Sequence, residues 1–204
     1  MNGGINLTVI ALATVLSISF VSWITKDKIA QSNQRWIEKS LVELVPAQLH
    51  DEQMIQKRFN FQHPALGTDS PLPVYPIVKG DTWNGAAITA IAPNGYTGQI
   101  KLLIAIRSDH SLLGVRVLEH RETPGLGDDI ERDKSDWITQ FDNASFTKYS
   151  APLWAVKKNG GVFDQFTGAT VTPSAVVHAV KQVLTWHQDN GLRLLQQRFD
   201  EPQQ

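Results

Sequence analysis

An uncharged apolar stretch near the N-terminus restricts the possible folds more than any other feature of this sequence. No charged side chain occurs from Ile5 to Ile24. A helix of that length, rising about 1.5 Å per residue, reaches about 30 Å, the thickness of the hydrocarbon core of a bilayer. A cleaved signal peptide is the alternative, but the sequence has neither a basic region before the stretch nor a clear A-x-A cleavage site after it. The sequence therefore predicts a transmembrane anchor over residues 1–25.

The charges that flank this stretch bear on its orientation. The four residues before it carry no charged side chain, whereas Lys26, Lys28, Arg35 and Lys39 follow it. Basic residues are enriched on the cytoplasmic side of membrane proteins. Taken alone, the charge pattern places the rest of the chain in the cytoplasm.

Composition excludes several functional classes. The chain has 204 residues and no cysteine, so disulfides, thiolate metal sites and iron–sulfur clusters are excluded and redox chemistry would need an organic cofactor. The net charge of -1, with scattered basic residues, argues against a nucleic-acid partner. The six histidines show no metal-binding spacing, so we expect no metal site.

Hydrophobic patterning predicts an α+β fold. Apolar residues at three- and four-residue steps predict an amphipathic helix from Lys26 to Val45, and an irregular connector should follow from Gln48 to Pro76. An antiparallel sheet is predicted from four strands, Val74–Lys79, Ala86–Ala92, Gln99–Arg107 and Leu113–Glu119. We further expect a short helix at Asp133–Phe141, a strand at Leu153–Lys158 and a long helix at Pro173–Arg198.

Two glycine-bearing segments are the candidate ligand-binding elements, namely residues 122–127 (E-T-P-G-L-G) and 164–170 (D-Q-F-T-G-A-T). Thr172 suits an N-cap and Pro173 a first helical residue, so Thr170 should lie just outside a helix N-terminus, where a phosphate is stabilised. From spacing alone, the favoured explanations are a helix cap without a ligand for residues 164–170 and a simple tight turn for residues 122–127. No P-loop, dinucleotide-binding turn or G-x-S-x-G elbow occurs, and we expect no catalytic side chain.

These segments resemble the G subunit family of the Rnf (or Rsx) electron transport complex and, more distantly, the C subunit of the sodium-translocating NADH:quinone reductase. The similarity covers nearly the whole chain, including residues 93–100, 119–128, 136–137, 154–158 and 164–175. Its most specific part is the motif [ST]-G-A-T-x-[ST], which spans residues 167–172 here. In that family FMN is esterified through its phosphate to the second threonine of the motif. The resemblance therefore implies a covalent FMN on Thr170.

The resemblance also implies the remaining site residues and the fold. The motif positions around the attachment point are Thr167, Gly168, Ala169 and Thr172, and the isoalloxazine ring should be lined by Glu122, Thr123, Pro124, Gly125 and Leu126. Asp164 resembles the acidic position that the flavin-transferring enzyme recognises. The implied organisation is a single transmembrane helix in 1–25, an amphipathic helix and connector in 26–75, and an FMN-binding domain in 76–200 with an antiparallel sheet packed by helices.

As a member of that family, the chain would relay electrons in an ion-translocating oxidoreductase that links ferredoxin and NAD, without completing a reaction alone. Its partners would be the other membrane and redox subunits and the flavin transferase. The family implies the bacterial inner membrane with the soluble domain in the periplasm, opposite to the charge pattern. Two alternatives stay open: the equivalent flavoprotein subunit of a sodium-translocating NADH:quinone reductase, and a non-redox, membrane-tethered binding module.

Overall fold

The computed structural model describes residues 2–201, and for residues 2–10, 13, 21, 23, 26–31 and 33 it describes the backbone alone. The described chain divides into two compact units, the first ending at Lys39 and the second beginning at Ser40. Helix α1 (Asn2–Leu44) makes up the first unit and continues into the second. It ends two residues before Pro46, as expected, because a proline and the residue preceding it disfavour a continuing helix.

The expected anchor lies partly among residues whose side chains are not described. Within the described part of the chain, no helix is both long and apolar enough to cross a bilayer. Several large apolar side chains of α1 are exposed, namely Leu12, Val15, Leu16, Ile18, Phe20 and Ile24.

The second unit is built on a five-stranded antiparallel sheet with the strand order β1-β2-β3-β4-β5. Its strands are β1 (Phe59–Phe61), β2 (Leu72–Lys79), β3 (Thr82–Ala92), β4 (Ile100–Arg107) and β5 (Leu112–Glu119). Strands β2 to β5 confirm the four expected strands. Both β1 and the start of β2 lie in the stretch that was expected to be irregular, so the sheet begins before residue 76.

Helices complete the α+β domain. Helix α2 (Val171–Trp186) is followed by a π-helical turn (His187–Gly191) and by α3 (Leu192–Asp200). Buried side chains of the sheet and of α2 form one hydrophobic cluster, which includes Ile88, Ile104, Val176 and Val180. This packing holds the start of α2 beside the sheet, where the candidate site lies.

Some local expectations are wrong. Residues Leu153–Lys158 do not form a strand, and instead contribute to short 3₁₀ turns at Ala151–Leu153 and Lys157–Asn159. Two of their apolar side chains, Trp154 and Val156, are buried in the hydrophobic cluster. Trp154 packs against Phe163 and Phe146 at ring-centroid distances of 5.2 and 5.3 Å. The expected helix at Asp133–Phe141 is a 3₁₀ helix at Trp137–Phe141. The long C-terminal helix begins at Val171 rather than at Pro173, and the π-helical turn interrupts it.

Candidate functional site

The turn after β5 has a fixed local geometry. The amides of Leu126 and Gly127 both donate to the carbonyl oxygen of Thr123, at 3.1 and 3.0 Å. Gly125 has φ +77°, in the left-handed region that favours glycine. Its amide donates to Asp128 Oδ1 at 2.6 Å. Backbone conformation at Gly125 and side-chain bonding at Asp128 therefore shape this turn.

Asp128 stabilises the turn as a charged group. Burial by itself would raise the pKa of Asp128, but the hydrogen bond from the Gly125 amide and the ammonium of Lys134, 3.4 Å away, together lower it. The carboxylate is therefore the form that the folded turn favours.

Helix α2 presents Thr170 at its N-terminus. Thr170 is the N-cap residue, and its side chain makes no capping hydrogen bond. The helix starts two residues earlier than the proline rule predicts, so Thr172 lies inside the first turn and Pro173 at the third helical position. The expected N-cap role of Thr172 is therefore wrong. Free N–H groups and the positive end of the helix dipole surround Thr170, an environment that suits a phosphate.

A buried carboxylate joins three segments next to Thr170. Glu122 has only 4% of its surface exposed. Its Oε1 accepts the Thr97 amide at 3.1 Å, and its Oε2 accepts the hydroxyl of Thr172. The hydroxyl of Thr172 thus bonds Glu122 instead of capping the helix. Through these bonds Glu122 connects the β3–β4 loop, the turn after β5 and the start of α2.

A small cavity of about 150 Å³ lies between these three segments and is called the loop cavity below. It is lined by Tyr96, Glu122, Thr123, Leu126, Gly127 and residues 168–172. A larger cavity of about 560 Å³, called the helix cavity, also reaches Thr170. Asn94, Trp154, Lys158, Ser174 and His178 are among its lining residues. Thr170 and Val171 line both cavities.

The sizes of the two cavities bear on what the site can hold. Pockets for cofactor-sized ligands measure about 300–1,000 Å³. The loop cavity is below this range and the helix cavity is within it. The helix cavity is therefore large enough for a cofactor-sized ligand beside Thr170, and the loop cavity extends the space available to it. Lys158 is an exposed residue at the border of the helix cavity, and its ammonium is in no ion pair among the described residues.

Most of the residues predicted from the sequence come together here. Glu122, Thr123 and Leu126 meet Gly168, Ala169, Thr170 and Thr172 around the loop cavity. Thr167, Pro124 and Gly125 are exposed and do not line it. Sequence reasoning assigned no site role to Tyr96 or to the residues of the helix cavity. The available signals were the matching segments 93–100, 154–158 and 164–175, which contain Tyr96 and most of the helix-cavity residues.

Asp164 lies at the start of the segment that leads to Thr170. Its carboxylate is half exposed and pairs with Lys157, while its carbonyl oxygen accepts the indole N–H of Trp137 at 2.7 Å. The indole ring of Trp137 also contacts Phe166 at a centroid distance of 5.2 Å. These contacts fix the backbone of the segment and leave about half of the Asp164 side chain exposed. No group of three or more potential metal ligands occurs in the described part of the chain.

Comparison with known proteins gives one consistent family. Residues 95–185 match the FMN-binding domain family. The chain is 40% identical over 194 residues to the G subunit of the ion-translocating oxidoreductase complex of Vibrio atlanticus, covering 95% of this chain and 93% of that protein. The corresponding G subunits from Shewanella baltica and Pseudoalteromonas atlantica are each 42% identical, covering 95% and 92% of this chain and 92% and 87% of their own lengths.

Proposed function

Because this chain belongs to the family of G subunits of ion-translocating oxidoreductase complexes, and its residues 95–185 match the FMN-binding domain family, we propose that it is an electron-relay subunit carrying FMN on Thr170. The link is a phosphoester between Thr170 Oγ1 and the flavin phosphate. The observation that carries the proposal is the position of Thr170, whose uncapped side chain lies at a helix N-terminus where two cavities meet.

The residues around Thr170 suit this role. The N–H groups at the start of α2 stabilise the negative charge that a phosphodiester retains, and Lys158 adds a positive charge nearby. The segment 122–126 and Tyr96 border the loop cavity, and Trp154 and His178 border the helix cavity. When bound, FMN supplies the electron-accepting chemistry, and these residues hold and orient it.

The anchor and the partners are part of the same proposal. Residues 1–25 anchor the chain in the bacterial inner membrane, which is supported by the uncharged stretch from Ile5 to Ile24 and by the exposed apolar side chains of α1. The soluble domain faces the periplasm, where a flavin transferase meets the accessible Asp164. The electron donors and acceptors are other subunits of the complex.

The attachment is tested by in-gel flavin fluorescence after denaturation, on full-length protein produced with its maturation system. We expect fluorescence in the wild type and its loss in Thr170→Ala. Thr185→Ala removes another threonine hydroxyl from α2, on the exposed face and away from both cavities, and should stay fluorescent. Covalent fluorescence that persists in Thr170→Ala contradicts the proposal. Flavin that is lost from the wild type on denaturation indicates a non-covalent binding module instead.

A further inference from the structure

Two glycines leave room for the buried carboxylate of Glu122. An ideal Cβ on Gly127 would lie 2.9 Å from Glu122 Oε2, and one on Gly95 would lie 2.8 Å from Glu122 Oε1 and 2.3 Å from the carbonyl oxygen of Gly98. These distances are shorter than real contacts allow, so Gly127, and Gly95 together with the approach of the Gly98 backbone, leave the space that the carboxylate occupies. Larger residues at either position would displace it.

The groups that contact this carboxylate are hydrogen-bond donors. The Thr97 amide and the Thr172 hydroxyl each donate to one of its oxygens, and the Thr97 hydroxyl lies 3.2 Å from Oε1. An ionised carboxylate accepts and does not donate, so these contacts satisfy the charged form. Among the described residues, no basic side chain forms an ion pair with Glu122. Its negative charge is therefore stabilised by neutral hydrogen-bond donors. The field of this charge extends to any group that occupies the neighbouring space.

What lies beside it is the loop cavity, which Glu122 shares with Thr170. A flavin that accepts an electron gains negative charge unless a proton follows. A buried carboxylate nearby opposes that gain, and the opposition is strong where water is excluded. We propose that Glu122 is an electrostatic tuning residue that lowers the reduction potential of the flavin on Thr170. This inference rests on the proposed function.

The test is a spectroelectrochemical titration of full-length, flavin-loaded protein in detergent at pH 8. Glu122→Gln keeps the size and an acceptor oxygen but removes the charge. We expect its midpoint potential to be more positive than that of the wild type. A unit charge about 10 Å away, at an effective dielectric constant of about 20, changes the ratio of reduced to oxidised flavin by on the order of tenfold at a fixed potential. Glu119→Gln, the same change at an exposed position outside both cavities, should keep the wild-type potential.

An unchanged potential in Glu122→Gln, or the same shift in Glu119→Gln, overturns the inference. If Glu122→Gln does not fold or load flavin, Thr172→Val provides the second test. It keeps the carboxylate but removes one donor, so the less compensated charge should shift the potential to more negative values, and an unchanged potential again overturns the inference. The proposed function fails separately, when the wild type itself carries no covalent flavin.

Discussion

Replacing Gly127 with alanine tests whether the loop cavity is built as described. An ideal Cβ at this position lies 2.9 Å from Glu122 Cβ and Oε2 and 3.1 Å from Thr172 Oγ1. Glu122 and Thr172 are buried and hydrogen-bonded to each other, so the added methyl can displace them only by disturbing this pair at the loop cavity. Overpacking of this kind costs about 1–3 kcal/mol. For a domain of this size, each kcal/mol corresponds to a fall in Tm of about 2–4 °C.

The assay compares thermal unfolding and flavin absorption of the full-length protein in detergent. Gly127→Ala should lower Tm and change the shape of the flavin band, because the added methyl displaces Glu122 and Thr172. The matched control is Gly80→Ala in the turn between β2 and β3, where φ is +58° and nothing lies within 4 Å of an added Cβ. The left-handed backbone alone costs a non-glycine residue about 1–2 kcal/mol. Gly80→Ala should therefore lower Tm and keep the flavin band.

The two variants separate a change at the site from simple loss of stability. Wild-type Tm and an unchanged flavin band in Gly127→Ala would refute the packing described around Glu122. An equal change in the flavin band in Gly80→Ala would show that the band follows stability and not the geometry of the cavity.

Two further predictions concern pH and topology. Burial and the neighbouring ring of His110 lower the pKa of His187 to about 3, against 6.5 in the unfolded chain. Stability should therefore fall as the pH drops below 6.5, by up to about 1.4 kcal/mol per pH unit, and denaturant titrations of His187→Phe should lack this part of the slope. The exposed loop residue Asn94, changed to cysteine, should react with a membrane-impermeant maleimide once the outer membrane is permeabilised. Labelling only after the inner membrane is broken would place the domain in the cytoplasm, in line with the basic residues that follow the apolar stretch.

The hydrophobic pattern predicted four of the five strands, because apolar residues in these strands either alternate with polar ones or form continuous stretches, and turn residues bound each strand. Strand β1 was not predicted, because its three residues are too few to show an alternating hydrophobic pattern. The start of α2 was misplaced because the Thr172 hydroxyl bonds a carboxylate 50 positions earlier, which overrides the local capping rule. Residues around Trp154 were taken for a strand because an aromatic cluster and a strand both produce an apolar run.

The composition of the site was only partly predictable for a related reason. The motif at 167–172 locates Thr170 through resemblance, but no spacing in the sequence brings it next to the segment 122–127. That proximity depends on the register of the sheet and on the packing of α2 against it. The helix cavity likewise becomes visible only when Lys158 and His178 are placed in three dimensions.

The most direct test of the central claim is the intact mass of the full-length protein, produced with its native maturation system, followed by fragmentation to locate any modification. We expect a mass increased by that of FMN less one water, with the added group on Thr170 and absent from Thr170→Ala. An unmodified mass under these conditions, or a flavin located on Thr167 or Thr172, would contradict that claim.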